Sequence, residues 1–173
     1  RQRSEPNETA AIGVFEGADA EIDGVSLHDN DGVHLMTEGD RSGQTISLSS
    51  LDLGTVDEVR IGSKRIRVGL LLAGSGSLSM DHITVTAGEE LVVITPPESL
   101  DLTGDDIVIG ADPESFSGLF AAGPVLGSLS ELRVTGEFPV GVAVMDGADL
   151  SLDEPTISGN DAVEGSFSFG AWV

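Results

Sequence analysis

The chain has 173 residues, 39% of them hydrophobic and none of them cysteine, so one domain with a substantial core is expected and a disulfide scaffold is excluded. Thirty acidic residues against eight basic ones give a formal net charge of −22. This charge makes nucleic acid and anionic membranes poor partners, and no apolar run is long enough to span a membrane.

The first ten residues, RQRSEPNETA, are predicted to form a polar linker, and residues 11–173 a single repeat domain. The chain begins without methionine or the apolar core of a signal peptide, which indicates a processed product or a piece of a longer protein. Phe167, Phe169 and Trp172 close the chain within an apparent strand. Because an open strand edge invites pairing, we expect either that these aromatics cap the rod or that further coils follow in the parent chain, and we favour the second.

Seven short apolar segments recur along residues 11–173, and their length and composition predict β-strands. These segments are Ile12–Phe15, Val33–Met36, Val68–Leu72, Leu91–Thr95, Gly118–Ala121, Val140–Met145 and Gly165–Phe169. One such strand per repeat predicts about seven coils.

A second pattern, with a period of 22 to 25 residues, aligns acidic residues into two neighbouring columns. The first column is predicted to contain Asp23, Asp57, Asp81, Asp105, Ser130 and Asp153. The second contains the residues that follow them, namely Gly24, Glu58, His82, Asp106, Glu131 and Glu154. Nine of these twelve positions are carboxylates. Alternating apolar residues, such as Ile83 and Val85, flank the columns and predict a strand with one buried face.

A repeat this short cannot bury its apolar face alone, so each unit must stack on its neighbours. Strands that recur once per repeat then run parallel, and parallel strands need covering on both faces or closure of the sheet on itself. Winding the chain into a coil satisfies this need without helices. The predicted fold class is therefore all-β, a single-stranded parallel β-helix of about seven coils.

The segment VGVAVMDGADLSLDEPTISGND, residues 140–161, resembles the right-handed parallel β-helix repeats of the pectin-lyase-like superfamily and of bacterial secreted repeat proteins. The resemblance covers nearly all of residues 12–170. It implies a right-handed coil and a place outside the cell or at the cell surface, but no single activity, because the superfamily contains lyases, hydrolases, epimerases, tailspikes and adhesins. The turns here carry aspartate where asparagine ladders are familiar, and only Asn30 and Asn160 fall at equivalent positions.

The acidic columns need compensation, because like charges on neighbouring strands repel. One interpretation is that each aspartate accepts N–H bonds within its own turn while solvent and salt absorb the repulsion. The other is Ca²⁺, a cation that takes several oxygen ligands and could bridge adjacent coils. The predicted metal ligands are Asp57, Asp81, Asp105 and Asp106.

Half of the basic residues of the chain fall within eight positions, and they are Arg60, Lys64, Arg65 and Arg67. Beside the Asp57 to Asp105 column they form the only plausible site for a polyuronate lyase, in which a basic side chain abstracts a proton next to a calcium-neutralised carboxylate. The simpler interpretation is exposed ion pairs with Glu89 and Glu90. Serine-hydrolase, phosphate-loop and CxxC constellations are absent from the sequence.

Two further features concern binding surfaces. The period is broken once, by an insertion of roughly ten residues predicted within residues 34–55, and such insertions often carry binding loops. Its tip is predicted to hold Glu38, Asp40, Arg41 and Gln44. A threonine ladder is not found at the outward position between the flanking apolar residues, which is predicted to contain Ser26, Arg60, Thr84, Val108, Arg133 and Thr156.

The sequence therefore favours a non-catalytic scaffold or binding module, extracellular or at the cell surface, that calcium stabilises. A polysaccharide or another surface protein is the expected partner. The alternative is a polysaccharide-active enzyme of the lyase type that uses Arg60, Lys64, Arg65 or Arg67.

Overall fold

The structure is a computed structural model and describes residues 10–15, 17–31, 33–39, 43, 45–54, 56–57, 59–61, 64–66, 68–86, 90–94, 96, 98–111, 117–136, 140–159 and 169–172. Within these ranges the regular elements are all β-strands. The first ten strands are β1 (Ala10–Val14), β2 (Ala20–Asp23), β3 (Ser26–Leu27), β4 (Asn30–Asp31), β5 (Val33–Thr37), β6 (Thr45–Leu53), β7 (Val56–Asp57), β8 (Val59–Ile61), β9 (Lys64–Ile66) and β10 (Val68–Leu72). The others are β11 (Gly76–Thr86), β12 (Glu90–Ile94), β13 (Leu100–Ala111), β14 (Ser117–Ala122), β15 (Val125–Ser130), β16 (Arg133–Gly136), β17 (Val140–Met145), β18 (Asp149–Asp153), β19 (Thr156–Ser158) and β20 (Phe169–Trp172).

The chain winds as a parallel β-solenoid between two sheets, which confirms the predicted fold class. Sheet A has seven strands in the order β1-β5-β10-β12-β14-β17-β20. Sheet B has nine strands, with β18-β15-β13-β11-β6-β2 as its main path. Their ladders are parallel throughout.

The first six strands of sheet A overlap the first six predicted apolar segments, and the seventh strand is Phe169–Trp172. Of the predicted segment Gly165–Phe169, residues 165–168 lie outside the described residues. Six full turns of the chain would connect the seven strands of sheet A. The last of these connections includes residues 160–168, which lie outside the described ranges. The described turns number about five. The prediction of seven coils was too high, because it counted every strand of one face as a complete coil.

The main core is one large cluster of apolar side chains contributed by both sheets, and Val33 and Val68 form a second, small cluster apart from it. Along β11 the side chains of Leu78, Met80, Ile83 and Val85 are at most 3% exposed. Their equivalents in other turns, such as Leu48 in the adjacent turn and Leu129 two turns from Met80, are 0% and 1% exposed, and the position between Met80 and Leu129 is Gly104. The alternation of apolar and polar residues along each strand thus produces the core directly.

Sheet B bends at the same residue in every turn. Each bend residue has φ in the left-handed region, and the set is Gly24 (66°), Ser50 (53°), His82 (53°), Asp106 (47°), Glu131 (50°) and Glu154 (50°). This bend interrupts the in-and-out alternation, so that two consecutive residues, such as Asp81 and His82, are both exposed before burial resumes at Ile83. We call these six positions the bend column.

The register corrects the predicted columns at one turn. Ser49 pairs with both Asp23 and Asp81, so Ser49 and Ser50 occupy the positions predicted for Asp57 and Glu58. Asp57 instead pairs with Asp31 in the separate two-stranded sheet β4-β7, and Glu58 lies outside the described residues. The carboxylates in the two columns therefore number seven of twelve instead of nine.

The break in the period lies at a different place from the one predicted. Residues 45–53 form β6, a regular strand of sheet B, so they are not an insertion. The extra length connects Leu53 to Val68 and includes the antiparallel pair β8-β9. Of the predicted loop tip, Asp40, Arg41 and Gln44 lie outside the described residues. Arg60 is likewise not at the outward position, which Asp52 occupies opposite Ser26 and Thr84.

We predict that Glu154→Gly is more stable than Glu154→Ala by about 1 kcal/mol, because only glycine adopts φ near +50° without a steric cost. Both variants remove the same carboxylate, so their difference isolates the backbone. At Ser151, in the middle of β18, the order of the glycine and alanine variants should reverse. Urea unfolding of the four variants measures both differences, and equal stabilities at residue 154 would contradict the assigned role of the bend.

Candidate functional site

The candidate site lies on the outside of sheet B, where strand and bend meet. The column before the bend contains Asp23, Ser49, Asp81, Asp105, Ser130 and Asp153, and we call it the acid–serine column. It lies beside the bend column, so each turn except the first, which has Gly24, places two polar side chains on one narrow strip. Equivalent residues in adjacent turns are about 4.8 Å apart.

Serines separate most carboxylates of the acid–serine column. Ser49 Oγ donates a hydrogen bond of 2.8 Å to Asp23 Oδ1, and Ser130 Oγ donates one of 2.5 Å to Asp105 Oδ1. Within this column, Asp81 and Asp105 alone are carboxylates at directly neighbouring positions. The expected repulsion is therefore limited by hydrogen bonds across turns, which differs from the predicted bonds within each aspartate's own turn.

Arg133 and His82 contact the carboxylates of the strip. Arg133 places Nη1 3.0 Å from Asp106 Oδ1 and donates from Nη2 to Glu131 Oε2 at 3.1 Å. His82 places Nδ1 2.7 Å from Asp81 Oδ1 and Nε2 3.7 Å from Asp106 Oδ2. The His82 side chain is 63% exposed, so these pairs orient the side chains more than they stabilise the fold.

Three of the four predicted metal ligands lie together. Asp81, Asp105 and Asp106 share the strip, but Asp57 belongs to a different strand pair. In the described part of the chain no three His, Asp or Glu side chains are arranged to hold a metal ion. Each of the three carboxylates already contacts His82, Ser130 or Arg133, so calcium would have to compete with these contacts. The calcium site stays a prediction.

The basic segment lies in the long connection between β6 and β10. Arg60 and Arg65 are directly opposite each other in the antiparallel pair β8-β9, and Ile61 is opposite Lys64. Arg67 lies outside the described residues. This register places two basic residues together on a local hairpin and not in a column of the solenoid, and the lyase hypothesis stays a prediction.

Sequence reasoning missed the outward face on the other side of the acid–serine column. Two more outward columns cover the first half of sheet B. One contains Asp19, Thr45, Ser77, Asp101, Leu126 and Asp149, and the other contains Glu21, Ser47, Ser79, Thr103, Ser128 and Ser151. With the acid–serine column they form what we call the polar face, in which seventeen of eighteen positions are carboxylates or hydroxyls and none is basic.

The signal for the polar face was present in the sequence as a strict alternation. Segments such as Thr45–Ser49 (TISLS) and Asp149–Asp153 (DLSLD) place a small polar residue at every second position. The hydroxyl residues that are not continuous at the outward positions after the bend are continuous at the outward positions before it. A shallow, open depression of about 430 Å³ lies at one end of the face, lined by Asp19, Ala20, Glu21, Gly43, Thr45 and Ser47.

A serine, a histidine and an aspartate also meet beyond the bend. His28 Nε2 is 2.6 Å from Ser26 Oγ and 3.6 Å from Asp52 Oδ2. Both partners use the same ring nitrogen. A hydrolytic triad needs the serine and the aspartate on opposite nitrogens, so that the aspartate orients the base, and this arrangement does not supply that.

Searches against family models, curated proteins and solved structures find no match to this chain. Among the described residues, no helix is long and apolar enough to cross a membrane. Function is therefore inferred from the geometry of the chain itself.

We predict that Arg133→Met lowers the free energy of unfolding by up to about 1 kcal/mol at low ionic strength, because Asp106 and Glu131 lose their shared cation. At about 1 M salt the loss should shrink, since screening then acts over about 3 Å. Thr156→Met, at the equivalent position in the next turn, is the matched control. If the loss of unfolding free energy in Arg133→Met does not depend on salt, its cause is lost packing and not lost charge.

Proposed function

We propose that the protein is a non-catalytic β-helix scaffold or binding module that acts outside the cell or at the cell surface. The polar face carries this proposal. It is an array of carboxylates and hydroxyls on a continuous parallel sheet, backed by a fully buried core, and its side chains are held in register by the ladders beneath them. Such a surface suits contact with an extended partner more than enclosure of a small substrate.

A polysaccharide or another surface protein is the proposed partner class. Hydroxyls of the polar face can exchange hydrogen bonds with sugar hydroxyls, and its carboxylates can bind an anionic partner only through a cation. The chain has no tyrosine and one tryptophan, so recognition would depend on polar contacts and not on aromatic stacking. Calcium is the proposed bridging cation because it accepts many oxygen ligands in flexible geometry.

The finer family assignment is also a proposal. The parallel ladders and the bend residue repeated in each turn support a place among the right-handed, pectin-lyase-like β-helices. The handedness follows from that resemblance, and an experimental structure would test it directly.

Calcium should raise the unfolding midpoint at matched ionic strength, whereas magnesium should not, because a ligand that binds only the folded state stabilises it by mass action. The expected rise is about 2–4 °C for each kcal/mol of binding free energy. Asp81→Asn with Asp105→Asn should abolish the rise. Asp101→Asn with Asp149→Asn removes the same charge from the same face at positions two turns apart and should retain it. A rise with any salt would leave the columns as a solvated acidic ridge.

Binding should map to the polar face. The variant Ser79→Lys with Thr103→Lys should lose calcium-dependent retention on acidic polysaccharides, measured by affinity electrophoresis. Thr84→Lys with Val108→Lys adds the same charge in the same turns beyond the bend, and it should bind as the unmodified protein does. Release of unsaturated products from a polyuronate in calcium would contradict a non-catalytic role and favour the lyase alternative.

A further inference from the structure

Three aspartates in the chain precede a glycine, in the pairs Asp23–Gly24, Asp31–Gly32 and Asp146–Gly147. In such a pair the glycine backbone nitrogen can attack the aspartate Cγ, because glycine has no side chain to hinder the approach. The N–Cγ bond forms, one water leaves, and a cyclic succinimide results. Water then opens the ring at either carbonyl, giving aspartate or isoaspartate with no net change in mass.

At Asp23, hydrogen bonds to the next turn restrain both reacting groups. The Gly24 N–H donates to the Ser49 carbonyl oxygen at 3.1 Å, and Asp23 Oδ1 accepts from Ser49 Oγ at 2.8 Å. Asp23 also pairs with Ser49 in the ladder. The peptide must rotate for the nitrogen to reach Cγ, and this rotation would break the contacts with Ser49.

At Asp146 these restraints are absent. Asp146 (φ 55°) and Gly147 (φ 91°) form the exposed two-residue turn between β17 and β18. The turn is closed by a 3.2 Å bond from Ala148 N to the Met145 carbonyl oxygen, while the Gly147 N–H donates to no described residue. A Cβ built on Gly147 or on Gly24 would meet nothing within 4 Å, so the two sites differ in their hydrogen bonds and not in the space around the glycine.

We propose that Asp146 is a modification site of this protein, at which isoaspartate forms in the folded state. The product inserts one methylene into the main chain of a turn that joins sheet A to sheet B. Because turn length sets the register of the strand that follows, the modified chain misaligns β18 against β15, and the turn of the solenoid that β18 and β19 form loses stability. Gly32 lies outside the described residues, so Asp31 does not enter the comparison.

The test is incubation of the folded protein at neutral pH, followed by peptide mapping with electron-based fragmentation and enzymatic methylation of isoaspartate. Conversion at Asp146 should exceed that at Asp23 by about tenfold or more, since opening a hydrogen-bonded segment limits the reaction at Asp23. In denaturant the two rates should become equal. Asp146→Glu should remove the product without changing the rate at Asp23, and Asp146→Asn should convert faster with a measurable gain in mass.

Conversion at Asp23 that equals or exceeds conversion at Asp146 in the folded protein would overturn the proposal. So would the lack of product at Asp146 under conditions in which the denatured chain reacts. Aged protein separated from the unmodified form should also unfold at a lower temperature, and an unchanged midpoint would overturn the predicted misalignment of β18.

Discussion

Parallel stacking in register is the constraint on which the rest of the structure depends. Each residue lies about 4.8 Å from its equivalent in the next turn. The side chains of each column must therefore be able to pack beside one another. Inward columns satisfy this with apolar side chains, as in Leu48 and Met80 of neighbouring turns, which are at most 3% exposed. The bend column must tolerate φ near +50°, and its residues are polar or glycine.

The same constraint decides how a chain of net charge −22 accommodates stacked carboxylates. Ser49 and Ser130 separate carboxylates and donate hydrogen bonds to them across turns. Arg133 lies between Asp106 and Glu131, and His82 contacts Asp81. All these groups are at least partly exposed, so water and salt contribute much of the remaining screening. Without a bound cation, the strip therefore adds little to the stability of the fold.

Because the core and the ladders hold the backbone, the outward columns are free to carry function at little structural cost. The polar face, the strip at the bend and the hairpin β8-β9 differ in charge and geometry although they belong to one solenoid. The backbone of the turn at Asp146, by contrast, is not held by a ladder. Where the chain leaves the ladder, the backbone loses its restraints and becomes open to chemistry that the stacked residues resist.

Most of the sheet A strands could be predicted from apolar periodicity, since Val68–Leu72 and Val140–Met145 were found with their observed bounds. The register was wrong where two segments competed for one position. Both SSLDL, residues 49–53, and DEVRI, residues 57–61, match the strand pattern, and the acidic match was preferred. The ladder selects the first, because Leu51 and Leu53 can stack on Ile83 and Val85 while Val59–Ile61 pairs locally with Lys64–Ile66.

The sequence by itself determined that the chain is a parallel β-solenoid, because a short repeated pattern of alternating residues can bury its apolar face only by stacking. It also determined that acidic residues would form columns. Tertiary structure alone decided which residues neighbour one another across turns, and hence that serines separate carboxylates and that Asp57 leaves the column. The physical reason is that a column joins residues one full turn apart, and the length of each turn is set by bends and connections that the strand periodicity does not encode.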